Sequence, residues 1–175
     1  LSLGSNLGNR EKNLNAARER LTKVIERMRM SRIYETEPLY VTNQPLFLNA
    51  VISGFAALSC FDLLDLIKTI EKQMGRNRDH ELANGPRTLD IDILLFGKTV
   101  LNTDRLIIPH PKIGERMFVL IPLIELDPEI KNPATGISYS ESLNKITEQG
   151  VYTYDPKHYN LFLNSTPKAF AGHKK

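Results

Sequence analysis

The chain has little cysteine and no long hydrophobic run, and each shortage excludes a class of protein. With one cysteine, Cys60, in 175 residues, it can form neither an internal disulfide nor a zinc site built from several cysteines. A single thiol favours a reducing, cytoplasmic compartment. No stretch reaches 18 apolar residues and no basic-then-apolar leader occurs, so the sequence predicts neither a membrane-spanning helix nor a signal peptide.

The common phosphate-binding fingerprints are also missing. No G-x-x-x-x-G-K-[ST] motif occurs, which excludes a P-loop kinase. The stretch LGSNLGN is not G-x-G-x-x-G; it predicts a strand-to-helix turn in which Ser5 or Asn6 caps the helix. The net charge of +3 suits a small anionic ligand or a weak nucleic-acid surface and decides neither.

Hydrophobic periodicity predicts an α+β fold. Helical spacing and capping signals indicate helices in segments 5–25 and 62–75, and a further helix after residue 115 that Pro122 interrupts or kinks. Alternating or β-branched segments predict strands at 1–5, 28–35, 47–58 and 88–97. This order is typical of a ferredoxin-like sandwich, an antiparallel sheet with helices on one face. We expect residues 1–150 to form the domain and the polar residues 151–175 a peripheral tail or linker.

An acidic pair interrupts the apolar run GPRTLDIDILLFG, residues 85–97. Asp90 and Asp92 are two positions apart, so in a strand their side chains project to the same side. Two neighbouring anions repel unless a cation lies beside them. Mg²⁺ is usually held by one or two carboxylates together with substrate phosphates. The pair therefore indicates a metal–phosphate site, with an ordinary solvated strand end as the alternative.

Basic residues stand close to this pair in the sequence. The rigid Gly85-Pro86 turn is expected to place Arg87 beside the two acids. Others lie upstream and downstream: Arg76, Arg78, His80, His110, Lys112 and Arg116. Guanidinium groups match phosphate oxygens bidentately, and acids for a metal surrounded by arginines are typical of phosphoryl transfer. Each arginine taken alone could equally be a solvated surface group.

Four ordered motifs resemble one enzyme family over residues 1 to about 130. They are LGSNLGNR, YETEPLYVTNQPLFLNAV, GPRTLDIDILLFG and IPHPKIGERMFVLIPL, and together they are similar to 6-hydroxymethyl-7,8-dihydropterin pyrophosphokinases. The resemblance implies the ferredoxin-like fold and a transfer of diphosphate from ATP to the hydroxymethyl group of the pterin, with release of AMP, in folate biosynthesis.

The resemblance also implies roles for particular residues. Asp90 and Asp92 would hold two Mg²⁺ ions, and Arg76 and Arg87 would close over the phosphates. The remaining ATP-site residues would be Glu71, Arg78, Ile93, His110 and Arg116. The pterin would contact Phe47, Phe118, Asn49 and the backbone of Thr36 and Leu39. From the residues alone, core packing is the alternative for the two phenylalanines, whereas a buried Asn49 would need a specific ligand or backbone contact.

The resemblance leaves the wider context open. A fused or associated dihydropteroate synthase or dihydroneopterin aldolase is possible, and an excised domain of a eukaryotic multifunctional enzyme could be mitochondrial. Two other functions compete. A nucleotidyltransferase would place a Gly-Ser turn about ten residues before the acids, but Gly4-Ser5 lies about 85 residues upstream of them. An RNA-binding domain of the same topology would need aromatic K/R-G-F/Y-G/A-F-V-x-F/Y strands, which the chain lacks, so no nucleic-acid partner is expected.

Overall fold

An antiparallel sheet organises the fold. The computed structural model describes residues 1–76, 84–147 and 149–156. In chain order its elements are β1 (Ser2–Ser5), α1 (Arg10–Leu21), β2 (Ile25–Met30), β3 (Tyr34–Thr36), β4 (Phe47–Ala56), α2 (Cys60–Gln73), β5 (Asp90–Asp92), β6 (Leu101–Asn102), β7 (Ile107–Ile108), a 3-10 helix (Ile113–Glu115), α3 (Met117–Leu126), α4 (Tyr139–Leu143) and β8 (Val151–Thr153). Within these residues six strands pair in the order β5-β1-β4-β3-β8, with β2 beside the second half of β4. The predicted antiparallel α+β architecture is confirmed.

The central strand β4 separates two layers of packing. Because side chains alternate along a strand, Leu48 and Ile52 face one layer while Val51 faces the other. The first layer is formed by α1 and α2, which cover one face of the sheet as expected. Helix α3 packs on the opposite face, against Val51. The buried helical residues of the first layer are Leu14, Ala17, Leu21, Leu63, Ile67 and Ile70.

The predicted cap of the first helix is wrong. Helix α1 begins at Arg10, and the Asn9 side chain accepts a hydrogen bond from the Lys12 amide at 2.9 Å. Ser5 and Asn6 cannot serve as the cap because both are buried and hydrogen-bonded to residues 87 and 88 of a distant segment. The long turn before the helix needs a left-handed residue, which Gly8 provides with φ +65°.

The other helix boundaries need smaller corrections. Ser59, not Asp62, caps α2, because its hydroxyl accepts from the Asp62 amide at 3.1 Å. The helix ends just before Gly75, which has φ +91°, as the glycine predicts. Helix α3 is not interrupted at Pro122. Burial of Val119, Leu120 and Leu123 against the sheet holds it on both sides of the proline.

Two predicted strands are shorter than their sequence patterns. Segment 28–35 holds parts of two strands, β2 and β3. Segment 88–97 contributes only Asp90–Asp92, because β5 pairs with β1 over three residues and the chain then turns to bury Leu94 under α3. At the other edge β8 pairs with β3, so the sheet runs through Thr153. The predicted boundary between the domain and its tail at residue 150 stays a prediction, since residues 157–175 lie outside the described residues.

No helix among the described residues is long and apolar enough to cross a membrane.

We predict that Gly54→Ala destabilises the domain by about 2 kcal/mol, because a new Cβ would overlap the Cγ2 atom of Ile25 and lie 2.8 Å from the Glu26 carbonyl oxygen. Gly114→Ala is the matched control: its Cβ would meet Ser142 at 3.9 Å, and we expect a change below about 0.5 kcal/mol. Urea unfolding of both variants measures the difference. Equal stabilities would show that β2 can move away from β4 at no cost.

Candidate active site

Strand register builds the floor of a cleft on the α3 face of the sheet. Asp90 lies opposite Gly4, which lies opposite Asn49 on β4. Two residues further along each strand, Asp92 lies opposite Ser2. Alternation puts these side chains on one face. A Cβ on Gly4 would stand 3.0 Å from Oδ1 of Asn49 and 3.9 Å from the Cβ of Asp90. The glycine therefore keeps the floor open between the acids and the amide.

The side chains around this floor include most of the residues expected in a substrate site. The cleft is lined by Thr36, Leu39, Tyr40, Gln44, Phe47, Asn49, Asn84, Arg87, Asp90, Asp92, Arg116 and Phe118, among others. Its free volume is about 50 Å³, room for one or two water molecules.

Asp90 is the more strongly neutralised acid. Its carboxylate pairs with Arg76 on one side and with NH2 of Arg87 at 2.7 Å on the other. Burial alone would raise the pKa of Asp90, but the Arg87 and Arg76 guanidinium groups outweigh burial and lower it. Arg76 also pairs with Glu71, which is almost fully buried and accepts a hydrogen bond from the Ile91 amide at 2.9 Å.

Asp92 is less well neutralised. Its nearest cationic groups are NH1 of Arg116 at 3.7 Å and Nε2 of His110 at 4.0 Å. Burial raises the pKa of Asp92, and the neighbouring Asp90 charge raises it further. Burial lowers the pKa of His110 despite the attraction of Asp92, so the imidazole neutralises the acid poorly near pH 7. Among the described residues, the cleft thus holds one carboxylate with no cation within hydrogen-bond distance.

Two arginines link the acids to the two aromatic rings. The guanidinium carbon of Arg87 lies 5.0 Å from the centre of the Phe47 ring, and that of Arg116 lies 5.5 Å from the Phe118 ring. Each guanidinium therefore stands between a carboxylate and an aromatic face. Nε of Arg87 is buried and has no hydrogen-bond partner in the described part of the chain.

A buried amide network holds Arg87 in place, and sequence reasoning missed it. Oδ1 of Asn6 accepts from the Arg87 amide at 2.7 Å, and Nδ2 of Asn6 donates to Oε1 of Gln44 at 3.0 Å. Gln44 in turn donates to the carbonyl of Asn84 at 3.0 Å. The network ties together three loops at the cleft. The interpretation of Asn6 as a helix cap does not reveal this role, because its partners Gln44 and Arg87 lie 38 and 81 positions away in the sequence.

The aromatic end of the cleft agrees with its predicted placement. Phe47, Phe118, Thr36 and Leu39 line it together with Asn49. The Asn49 amide donates to the Thr36 hydroxyl at 2.7 Å, so this buried polar residue has a partner and still faces the cleft.

Not every predicted residue can be placed in the cleft lining. The Ile93 side chain is buried in the core beneath α1 and α2, because it continues the apolar face of β5, so it does not face the cleft. Glu71 lies behind Asp90, not in the cleft lining. Arg78 lies outside the described residues. No cluster of three or more acidic, histidine or cysteine side chains occurs in the described ranges, so a metal here would need oxygen ligands from a bound molecule.

Fold and cleft together define an α+β domain whose sheet presents paired acids, flanking arginines and two aromatic rings. The family model for 7,8-dihydro-6-hydroxymethylpterin-pyrophosphokinase (HPPK) matches residues 1–128, and the chain belongs to this family.

The relatives differ greatly in length. The chain is 38% identical over 151 residues to a 2-amino-4-hydroxy-6-hydroxymethyldihydropteridine pyrophosphokinase of Bacillus subtilis, covering 85% of this chain and 89% of that one. It is 50% identical over 127 residues to a folate synthesis bifunctional protein of Arabidopsis thaliana, covering 72% of this chain and 26% of the relative. A folic acid synthesis protein of Pneumocystis carinii is 40% identical over 152 residues, which are 86% of this chain and 20% of that protein. The chain thus spans about a quarter or less of these two longer relatives.

A crystal structure of HPPK-DHPS in complex with substrates superposes with a TM-score of 0.63 at 15% identity, covering 82% of this chain and 42% of the other. At this identity the likeness supports the fold alone.

The two acids should respond oppositely to the same substitution. We predict that at pH 7 Asp90→Asn destabilises the domain by about 2 kcal/mol, because Arg76 and Arg87 lose a buried charged partner. Asp92→Asn should stabilise it by about 1 kcal/mol, because it removes a charge that burial and Asp90 disfavour. Urea unfolding from pH 3 to pH 8 measures both.

The contributions of the two acids to the free energy of unfolding should change with pH in opposite directions. Because its pKa is lowered in the folded state, Asp90 stabilises the domain above its unfolded-state pKa of about 3.9. This stabilisation is lost as the pH falls through the folded-state pKa. The raised pKa of Asp92 has the reverse effect: its stabilisation is full below about 3.9 and disappears as pH rises through the folded value. The advantage of Asp92→Asn should therefore vanish in acid. If both variants were less stable than the wild type at pH 7, the prediction that the two substitutions have opposite effects would be wrong.

Proposed function

We propose that this domain transfers diphosphate from ATP to the hydroxymethyl oxygen of 6-hydroxymethyl-7,8-dihydropterin and releases AMP. The observation that carries the proposal is the placement of Asp90 and Asp92 side by side in one cleft with Arg87, Arg116 and the Phe47–Phe118 pair. Membership of the pyrophosphokinase family supports it, as does a Bacillus subtilis relative of similar length that bears the name of this enzyme.

The acids fit the expected magnesium ions. Hard divalent cations take oxygen ligands, and a pair of carboxylates with phosphate oxygens is a common magnesium donor set. We propose that Asp90 and Asp92 hold two Mg²⁺ ions together with the ATP phosphates. Asp90 already has a cation at 2.7 Å, whereas the arginine beside Asp92 is 3.7 Å away. A bound metal cation would therefore stabilise the charge of Asp92 more than that of Asp90. When bound, Mg²⁺ would offset negative charge on the phosphate oxygens.

The side chains have separable tasks in the transfer. As the pterin hydroxyl oxygen bonds to the β-phosphorus, it loses its proton to solvent. The bond from that phosphorus to the α,β-bridging oxygen breaks, and AMP leaves with the electron pair. The guanidinium groups of Arg76 and Arg87, already directed toward Asp90, can stabilise charge on that oxygen. Aromatic faces suit a flat heterocycle, so Phe47 and Phe118 would stack on the pterin while Asn49 and Thr36 offer polar groups at its rim.

Incubation with ATP, Mg²⁺ and hydroxymethyldihydropterin should release AMP and leave diphosphate on the pterin. We predict that Asp90→Asn and Asp92→Asn each lower turnover well above tenfold, because each removes a charged ligand from the phosphate site. Asp65→Asn is the matched control: this exposed acid on α2 pairs with Arg105 away from the cleft, and turnover should not change.

Two further results of this assay would decide against the proposal. Release of free pyrophosphate in place of AMP would indicate a nucleotidyltransferase. Undiminished turnover after chelation of divalent cations with EDTA would overturn the magnesium assignment.

We propose further that the domain works within a longer folate-synthesis polypeptide, together with a dihydropteroate synthase or dihydroneopterin aldolase domain. Support comes from the Arabidopsis thaliana relatives named as bifunctional. One of these Arabidopsis thaliana relatives and a Pisum sativum relative are named as mitochondrial, so a mitochondrial location stands beside the cytoplasmic one that the single cysteine favours. We predict that the native polypeptide has a mass well above 19.9 kDa. An intact-mass measurement near that value would contradict the fusion.

A further inference from the structure

We propose that Tyr40 is a positioning residue that holds Arg116 and Lys112 toward the phosphate end of the cleft. The proposal rests on the proposed function for the identity of the ligand, and it assigns to Tyr40 a role in nucleotide binding. Tyr40 lies on the loop between β3 and β4 and lines the cleft together with Arg116.

The Tyr40 ring contacts both cations. Nζ of Lys112 lies 4.8 Å from the ring centre and the guanidinium carbon of Arg116 lies 5.7 Å from it. Both distances are within the range of cation–π attraction. Nε of Arg116 also donates to the Tyr40 hydroxyl, but at 3.4 Å this is a long hydrogen bond. The ring face, more than the hydroxyl, therefore attracts the cations.

Arg116 is held from three directions. Besides Tyr40, it packs on the Phe118 ring at 5.5 Å and approaches Asp92 at 3.7 Å. Its side chain is only 13% exposed, although an arginine in a loop ordinarily samples many rotamers. Lys112 precedes Arg116 by one turn of 3-10 helix, so the same ring restrains both. A cation that is already oriented loses less conformational entropy when a phosphate binds.

This arrangement predicts a selective defect. Removing the ring should weaken binding of the nucleotide phosphates, because Arg116 and Lys112 must then be ordered by the ligand. It should leave the chemical step nearly unchanged, since Tyr40 contacts neither Asp90 nor Asp92 by any recorded interaction in the described residues. Tyr40 is 44% exposed, so its replacement should not unfold the domain.

The test compares Tyr40→Leu, Tyr40→Phe and a control, Tyr152→Leu, in which a tyrosine on the edge strand β8 that is 60% exposed, against 44% for Tyr40, is replaced. Titration calorimetry with Mg²⁺ and a non-hydrolysable ATP analogue, without pterin, measures binding independently of activity. We expect Tyr40→Leu to weaken binding about fivefold. Its KM for ATP should rise to a similar extent with kcat within about twofold, and Tyr40→Phe should keep the wild-type values because the ring is retained.

Three results would overturn the assignment: unchanged analogue binding in Tyr40→Leu, an equal loss in Tyr40→Phe, or an equal loss in Tyr152→Leu. A wild-type domain that does not bind the analogue would overturn it as well. The proposed function fails separately. If the wild-type domain binds the analogue but releases no AMP, the reaction is wrong, and the calorimetric comparison still decides the role of Tyr40.

Discussion

The structure depends on the electrostatic cost of placing two carboxylates on one face of a short strand. Asp90 and Asp92 are fixed by the pairing of β5 with β1, so neither can move far from the other. Buried anions at this spacing need nearby cations, and each end of the pair has its own set. Arg76 and Arg87 neutralise the first acid closely, whereas Arg116 and His110 approach the second at longer distance. The loops and the short helical turn around the cleft position these cationic side chains.

The unequal neutralisation of the acids explains how one cleft can be stable and still bind a polyanion. An Asp90 that was not paired would destabilise the ligand-free domain. An Asp92 that was paired as closely would attract a metal cation less strongly. Because Arg87 and Arg116 also contact Phe47 and Phe118, the aromatic end of the cleft and the acidic end share the same two guanidinium groups.

Local patterns predicted much of this arrangement. The alternation in TLDID placed both acids on one face, and the Gly85-Pro86 turn placed Arg87 next to them, because both effects act over a few residues. The contacts of Asn6 with Gln44 and Arg87 join residues 38 to 81 positions apart, and no local pattern encodes them. The same applies to α3. Its apolar sequence predicts burial but does not say against which face of the sheet it packs.

The central claim is that both acids bind metal ions beside an aromatic site for a flat ring. The most direct test is a crystal structure with Mn²⁺ in place of Mg²⁺, a non-hydrolysable ATP analogue and the pterin, with the metals located by anomalous scattering. We expect one peak within metal–oxygen bonding distance of each of Asp90 and Asp92, and the ring between Phe47 and Phe118. A nucleotide bound with no metal at either carboxylate, or a pterin bound elsewhere, would contradict the account.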